Sequence, residues 1–175
     1  MFAKLQRSCE KTAFALENDE FKRMFVLSKK NARHLCKILY KELAPKCGTQ
    51  TSIPVEIKVL SALHYFASGR HQKDVGEEST LSVSQAAVSR YVMAVSDAIC
   101  NKILDSSVAF PSPYKSSKGT DREIAGFPGA IGAACCWHIP IAAPHQNSRF
   151  LNSRGQHSIN ALLVCDANAK ICFVD

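Results

Sequence analysis

No stretch of this chain is both long and apolar enough to suggest a membrane helix. The uncharged stretch Gly126 to Pro144 carries three Pro, three Gly and a His, and helix breakers at that density exclude a spanning helix. The opening MFAKLQR lacks the apolar centre of a secretory leader. No internal repeat argues for a solenoid, and no low-complexity tract argues for a disordered tail. The chain has no glycine-rich loop to cradle a nucleotide phosphate. It also has no Ser/His/Asp or Cys/His arrangement that would suggest a nucleophilic hydrolase. Eight Cys are present but never at Cys-x-x-Cys spacing, which removes the usual zinc-ribbon and redox motifs. Cys36 and Cys100 fall in helical patterns, and Cys165 and Cys172 in strand patterns. Reduced, mostly buried thiols of an intracellular protein fit that placement better than a disulfide framework.

What is present suffices for one ordinary domain, or for a small helical domain followed by part of another. The chain has 175 residues, 46% of them hydrophobic, and a formal net charge of +7. The charge is uneven. Residues 1–50 carry +6, residues 51–105 carry −1 and residues 106–175 carry +2. A basic first third suits a polyanionic partner, although a solvated surface gives the same count.

The first hundred residues follow the helical period. Asp19 is placed to cap a short helix with Phe21, Met24 and Phe25 on one face. Ser28 caps the next, with Ala32, Leu35, Cys36, Leu39 and Leu43 inward and Pro45 beyond its end. Pro54 suits the first turn of a third helix whose stripe is Val59, Leu60, Leu63, Phe66 and Ala67, stopped by Gly69. A short helix over Gln72–Glu78 turns Val75 inward, and a break follows at 79–81. Ser82 and Gln85 then have the spacing of a capping box, opening a longer helix that buries Val88, Val92, Val95 and Ile99. Residues 105–125, rich in Ser, Pro, Lys and Gly, read as a linker. Beyond it the period changes to that of strands: Gly129–Cys135, a short extended piece over His138–Ile141, Ile159–Cys165, a turn at 166–169, and a last strand from Ile171. The domain organisation expected is therefore a helical region over 1–104, a linker over 105–125 and a strand-rich region over 126–175. The fold class is α+β.

One helix stands out for chemistry. In LSVSQAAVSRYVMAV, Val88, Val92 and Val95 can pack inward while Ser84, Gln85, Ser89 and Arg90 sit on the opposite, N-terminal face. Gln pairs with adenine, Arg with guanine or phosphate, and Ser with either, so this is the donor set of a helix-turn-helix recognition helix. A plain amphipathic helix with a wet polar face satisfies the same pattern, and the local charge of −1 weakens the phosphate argument. Lys29, Arg33, Lys37 and Lys41, at four-residue spacing, could supply the missing phosphate contacts or simply face water.

GFPGAIGAACCWHIPI (Gly126 to Ile141), followed by NSRGQHSIN (Asn152 to Asn160) and a β-rich run to Asp175, resembles the nuclease core of Harbinger-type transposases and the host nucleases derived from them. The Val83-to-Arg90 stretch, with its Val-Ser-Gln-x-x-Val-Ser-Arg order, also resembles the region ahead of that core. The resemblance implies an RNase H-like α/β core, of which this chain would supply only the first strands. It also implies a divalent metal, Mg or Mn, held by an Asp-Asp-Glu triad for phosphodiester cleavage. The partner it implies is DNA, and the location is the nucleus, with some cytoplasmic presence. Where the family's first segment has its metal-binding Asp, this chain has Cys135, a soft ligand poorly suited to a hard cation. The chain ends before the region where the family carries its second Asp and its Glu, so no intact catalytic set and no bound metal are expected. Cys135, Cys136 and His138 could be considered as a soft-metal set, but adjacent thiols alternate sides of a strand. His138, His157 and Asn160 match family positions whose role is to shape the site. An incomplete sheet further implies a protein partner, such as an intact nuclease subunit or a second copy, covering its exposed apolar face.

Overall fold

The computed structural model describes residues 13–45, 53–109, 123–124, 127–128, 130, 132–144 and 150–175. They form an α+β protein of two compact units, residues 1–104 and 105–175.

In the first unit the helices are α1 (Asn18–Phe25), α2 (Lys29–Leu43), α3 (Val55–Ser68), α4 (Gln72–Glu77) and α5 (Gln85–Ile99), the last running into a π-helical turn at Cys100–Leu104. Phe21 and Phe25 pack their rings 4.6 Å apart on the buried face of α1. The cap of α1 is Glu17, not Asp19, and its side chain makes no capping bond. Asp19 and Glu20 instead lie inside the first turn, where their charge complements the helix dipole. Ser28 caps α2 as expected, its hydroxyl accepting from the Asn31 N–H at 3.2 Å. At the other end of α2 the ammonium of Lys58 donates to the Leu43 carbonyl at 2.7 Å, satisfying an orphan acceptor and tying α2 to α3. Burial lowers the Lys58 pKa.

Helix α3 is central, and this changes its buried face. It contacts α1, α2, α4 and α5, so burial runs around it through Val55, Ile57, Val59, Leu60, Ser61, Ala62 and His64. Phe66, expected inside, is half exposed, and Ala67 is exposed. Pro54 occupies the cap position rather than the first turn, and Gly69 ends the helix in the left-handed conformation at φ 61°. Ser61 survives burial by donating to the Ile57 carbonyl at 2.7 Å. The His64 Nδ1–H donates to the Met24 carbonyl at 3.1 Å. Two clusters make the core. One joins Phe21, Phe25, Leu60, Val75, Leu81 and Val88, and the other joins Cys36, Leu39, Val55, Val59 and Val95. Leu63 and Val92 pack against both and link them.

The connection from α4 to α5 is tighter than the sequence suggested. Ser82 is not the cap of α5: it adopts a left-handed φ of 47°, and the helix starts two residues later behind Ser84. The cause lies in the turn. The N–H of Val83 donates to the Gly76 carbonyl at 2.9 Å and that of Ser82 to the Glu78 carbonyl at 2.8 Å, while fully buried Leu81 anchors the loop. Ser84 then takes the extended cap conformation, and its hydroxyl accepts from the Ala87 N–H at 3.3 Å. Gly76 has to be glycine here, because any Cβ would collide with the Val83 carbonyl oxygen.

The second unit holds a helical turn, α6 (Asp105–Ser107), and two sheets. β1 (Glu123–Ile124) pairs antiparallel with β2 (Phe127–Pro128). Most of the stretch read as a linker, 110–122, lies outside the described residues. β3 (Ala133–Pro140), β4 (Ser158–Cys165) and β5 (Ile171–Val174) form an antiparallel meander in that order. β3 is one continuous strand across Trp137, not the two extended pieces expected, because it finds eight consecutive partners along β4, from Ala133 opposite Cys165 to Pro140 opposite Ser158. Every residue of β3 is exposed. Trp137 is 64% exposed, and Ile139 and Ile159, cross-strand partners on the same face, about half.

Candidate functional site

The N-terminus of α5 presents its polar side chains unequally. Gln85 and Arg90 are exposed, Ser89 is half-buried, and the Ser84 hydroxyl is occupied in capping. Arg90 forms no ion pair among the described residues. Its charge pulls the neighbouring Tyr91 pKa down, but burial of the phenol dominates and pushes that pKa up. Gln85 opens onto a concave surface of about 560 Å³ lined by Tyr65, Arg70, His71, Lys73 and Asp74, among others. Here Arg70 of the α3–α4 turn and Lys73 of the first turn of α4 bring two cations, with the Asp74 carboxylate among them, beside the start of α5. Neither Arg70 nor Lys73 was singled out by sequence reasoning, since a segmental charge of −1 hides a local excess, and only the fold shows that 70–73 and 85 meet. Lys73 lies 3.8 Å from Glu77, both exposed, a pairing too weak to fix either side chain.

The cationic stripe of α2 is partly committed to structure. Lys29 donates to the Leu16 carbonyl, and the Arg33 guanidinium sits 4.4 Å over the Phe14 ring. These two hold the segment 13–16 against α2. Lys37 and Lys41 remain exposed beside a pocket of about 750 Å³ floored by Phe14, Cys36 and Tyr40.

In the sheet unit, Cys135 faces Leu163 across the β3–β4 pair and its thiol is exposed, 3.8 Å from the Cys136 carbonyl oxygen. His138 and Asn160 are direct cross-strand partners, and His138 shares a pocket with His157. The three positions named from the sequence therefore lie together at one end of the meander. Asn152, Arg154 and Ser158, which the sequence reading passed over, complete that pocket. Asp166 makes a turn: its carboxylate accepts from the N–H groups of Asn168 and Lys170, each at 2.9 Å. Asp175 pairs its backbone with Leu162. Among the described residues no three His, Cys, Asp or Glu converge as a metal site, and no helix is long and apolar enough to cross a membrane.

Comparison with known proteins bears on the family. The chain is 32% identical over 146 residues to the protein named "Putative nuclease HARBI1" of Xenopus laevis, covering 81% of this chain and 41% of that protein. The proteins of the same name from Homo sapiens (31% over 146 residues) and Mus musculus (32% over 145) match over the same shares. The chain belongs to the Harbinger transposase-derived nuclease family. It spans 41% of the length of these relatives. No protein-family model and no solved structure matches it.

Proposed function

We propose that this chain is a Harbinger-type nuclease homologue that binds duplex DNA in the nucleus through its helical unit and does not itself cleave it. The observation that carries the reading is the exposure of Gln85 and Arg90 at the N-terminus of α5, beside Arg70, His71 and Lys73. α4, the tight turn over 78–84 and α5 serve as a helix-turn-helix, with α5 entering the major groove. Gln85 reads a base edge, Arg90 a guanine or a phosphate, and the cations of 70–73 the adjacent backbone. Ser84 contributes through the cap, and Ser89 is a minor contact because of its burial. Among the α2 cations, Lys37 is the better placed for phosphate, since Lys29 and Arg33 hold segment 13–16. The decisive test is duplex binding across a salt titration for Gln85→Ala and Arg90→Ala. The reading fails if neither variant weakens binding.

The donor set of the sheet unit does not suit cleavage. The β3–β4–β5 meander serves as the opening of an RNase H-like sheet, and the position given to the first metal-binding Asp is Cys135. A lone exposed thiol facing Leu163 does not fit Mg²⁺ or Mn²⁺, which need carboxylate oxygens. No catalytic step is assigned to His138, His157 or Asn160; they shape the pocket.

A second reading is favoured by the apolar face of β3 and β4. Trp137, Ile139 and Ile159 form an exposed apolar strip, which suits an intact nuclease subunit packing on the sheet. Co-expression with a full-length homologue tests it. Trp137→Ser should abolish co-purification, and retention of the partner by that variant would remove this reading.

A further inference from the structure

The pocket at the open end of the meander has its own chemistry. It encloses about 590 Å³, and its polar lining includes His138, Asn152, Arg154, Gln156, His157 and Ser158, with no carboxylate among the described residues. Asn152, Ser158 and His138 are held in place by one another. The Asn152 side-chain amide donates to the Ser158 hydroxyl oxygen at 3.1 Å, and that hydroxyl lies 3.2 Å from His138 Nδ1. Ser158 is buried. With its oxygen already accepting from Asn152, the hydroxyl proton is best used toward Nδ1, which places the imidazole proton of a neutral His138 on Nε2. The other end of Asn152 fixes the rim. Its Oδ1 accepts from the backbone N–H groups of Arg154 and Gln156, both at 3.0 Å, while Gly155 takes the left-handed φ of 73° that the turn requires. The Ile141 N–H donates to the His157 carbonyl at 3.0 Å and closes the opposite wall.

A pocket with one guanidinium, two imidazoles and a side-chain amide, and no carboxylate to oppose them among the described residues, selects an anion rich in acceptor oxygens. We propose that this pocket binds a phosphate group, either as the free ion or within a nucleic-acid strand. Arg154 supplies the fixed charge, His138 and His157 supply imidazole donors, and Asn152 and Ser158 hold the geometry without needing to touch the ligand. The site lies in the sheet unit and does not rest on DNA recognition by α5.

Histidine signals test both ideas in one sample. The chain has six His; His138 and His157 report this pocket, and His71 reports the surface beside α5. The full chain is titrated with inorganic phosphate against chloride at constant ionic strength and pH, following imidazole carbon-bound protons assigned by single His→Gln variants. Saturable shifts of His138 and His157, with His34 and His64 unmoved, are expected. Arg154→Gln should weaken that binding by about tenfold or more, and Arg154→Lys by less. Arg154 is exposed, so both variants should keep the wild-type melting curve. A second titration uses a short oligothymidylate. If its phosphates saturate the same two signals at lower concentration, the source is a strand; if only inorganic phosphate does so, the free ion is the ligand. The proposal is overturned if neither ligand moves His138 and His157 saturably, or if Arg154→Gln leaves the affinity unchanged. Shifts of His71 on adding duplex, with neither inorganic phosphate nor oligothymidylate moving His138 and His157, would support the α5 reading while removing this one.

Discussion

Neutralising Arg70, Lys73 and Arg90 together, each to Gln, should change the salt dependence of DNA binding far more than it changes stability. All three side chains are exposed. Among the described residues, the one ion pair that involves them joins Lys73 and Glu77 at 3.8 Å on an open helix face, a geometry worth roughly 0.3–0.5 kcal/mol. Removing an exposed charge elsewhere usually shifts stability by less than about 0.5 kcal/mol, so the denaturant midpoint should move little and the slope of the transition not at all. Binding responds differently. Each cation that neutralises a phosphate adds about 0.9 to the slope of log affinity against log salt. Losing three should flatten that slope by about 2.7. Between about 50 and 200 mM salt, a fourfold change, the wild-type chain should then lose roughly 40-fold more affinity than the variant. The assay is fluorescence anisotropy of a labelled random-sequence duplex, run with a matched control in which Lys22, Arg23 and Lys30 become Gln. Those three are also exposed and lower the net charge equally, but they lie on α1 and the start of α2. If the control flattens the slope as much as the test variant, binding follows net charge and not a face, and α5 is not the DNA-binding element.

Other outcomes follow from particular contacts. Gly76→Ala should destabilise the helical unit by roughly 1–3 kcal/mol in urea unfolding, because the new methyl meets the backbone oxygen of Val83 rather than a yielding side chain; a loss below about 0.5 kcal/mol would mean that the α4–α5 turn is looser than described. Val26 is β-branched and exposed, yet it ends α1 at a left-handed φ of 64°. Val26→Gly should therefore stabilise the chain by about 1 kcal/mol, and destabilisation would contradict that conformation. Tyr91 should ionise later than an ordinary phenol, since burial raises its pKa above the usual 10.0. A folded-state pKa above the unfolded one means its stabilising contribution is complete below about pH 10 and is lost as pH rises further. Ultraviolet difference titration should show a late component that disappears in Tyr91→Phe, and an unchanged titration would argue against the burial.

Much of the helical unit was legible because amphipathic period and caps are local. Ser28, Gly69 and the inward set of α2 stand where the sequence puts them. The start of α5 was misplaced by two residues for a non-local reason. Ser82 and Gln85 imitate a capping box, but the Val83–Gly76 backbone bond and the burial of Leu81 decide the turn. The same holds for α3, which was legible as a helix but whose buried face, excluding Phe66 and Ala67, depends on how many neighbours surround it. β3 looked broken at Trp137, and only its register with β4 shows a single strand. His138, His157 and Asn160 were nameable from a resemblance, whereas Asn152, Arg154 and Ser158 became visible only once the loop over 150–157 closed on the strand ends. The cations Arg70 and Lys73 were hidden by averaging charge over fifty residues.

Whether this chain meets DNA through the N-terminus of α5 is decided by mapping backbone amide shifts of the full chain as duplex DNA is added. The perturbed amides should concentrate in 69–73 and 84–90, with the buried face of α3 unmoved. Perturbations confined to the α2 face around Lys37 and Lys41, or none at all at low salt, would contradict it.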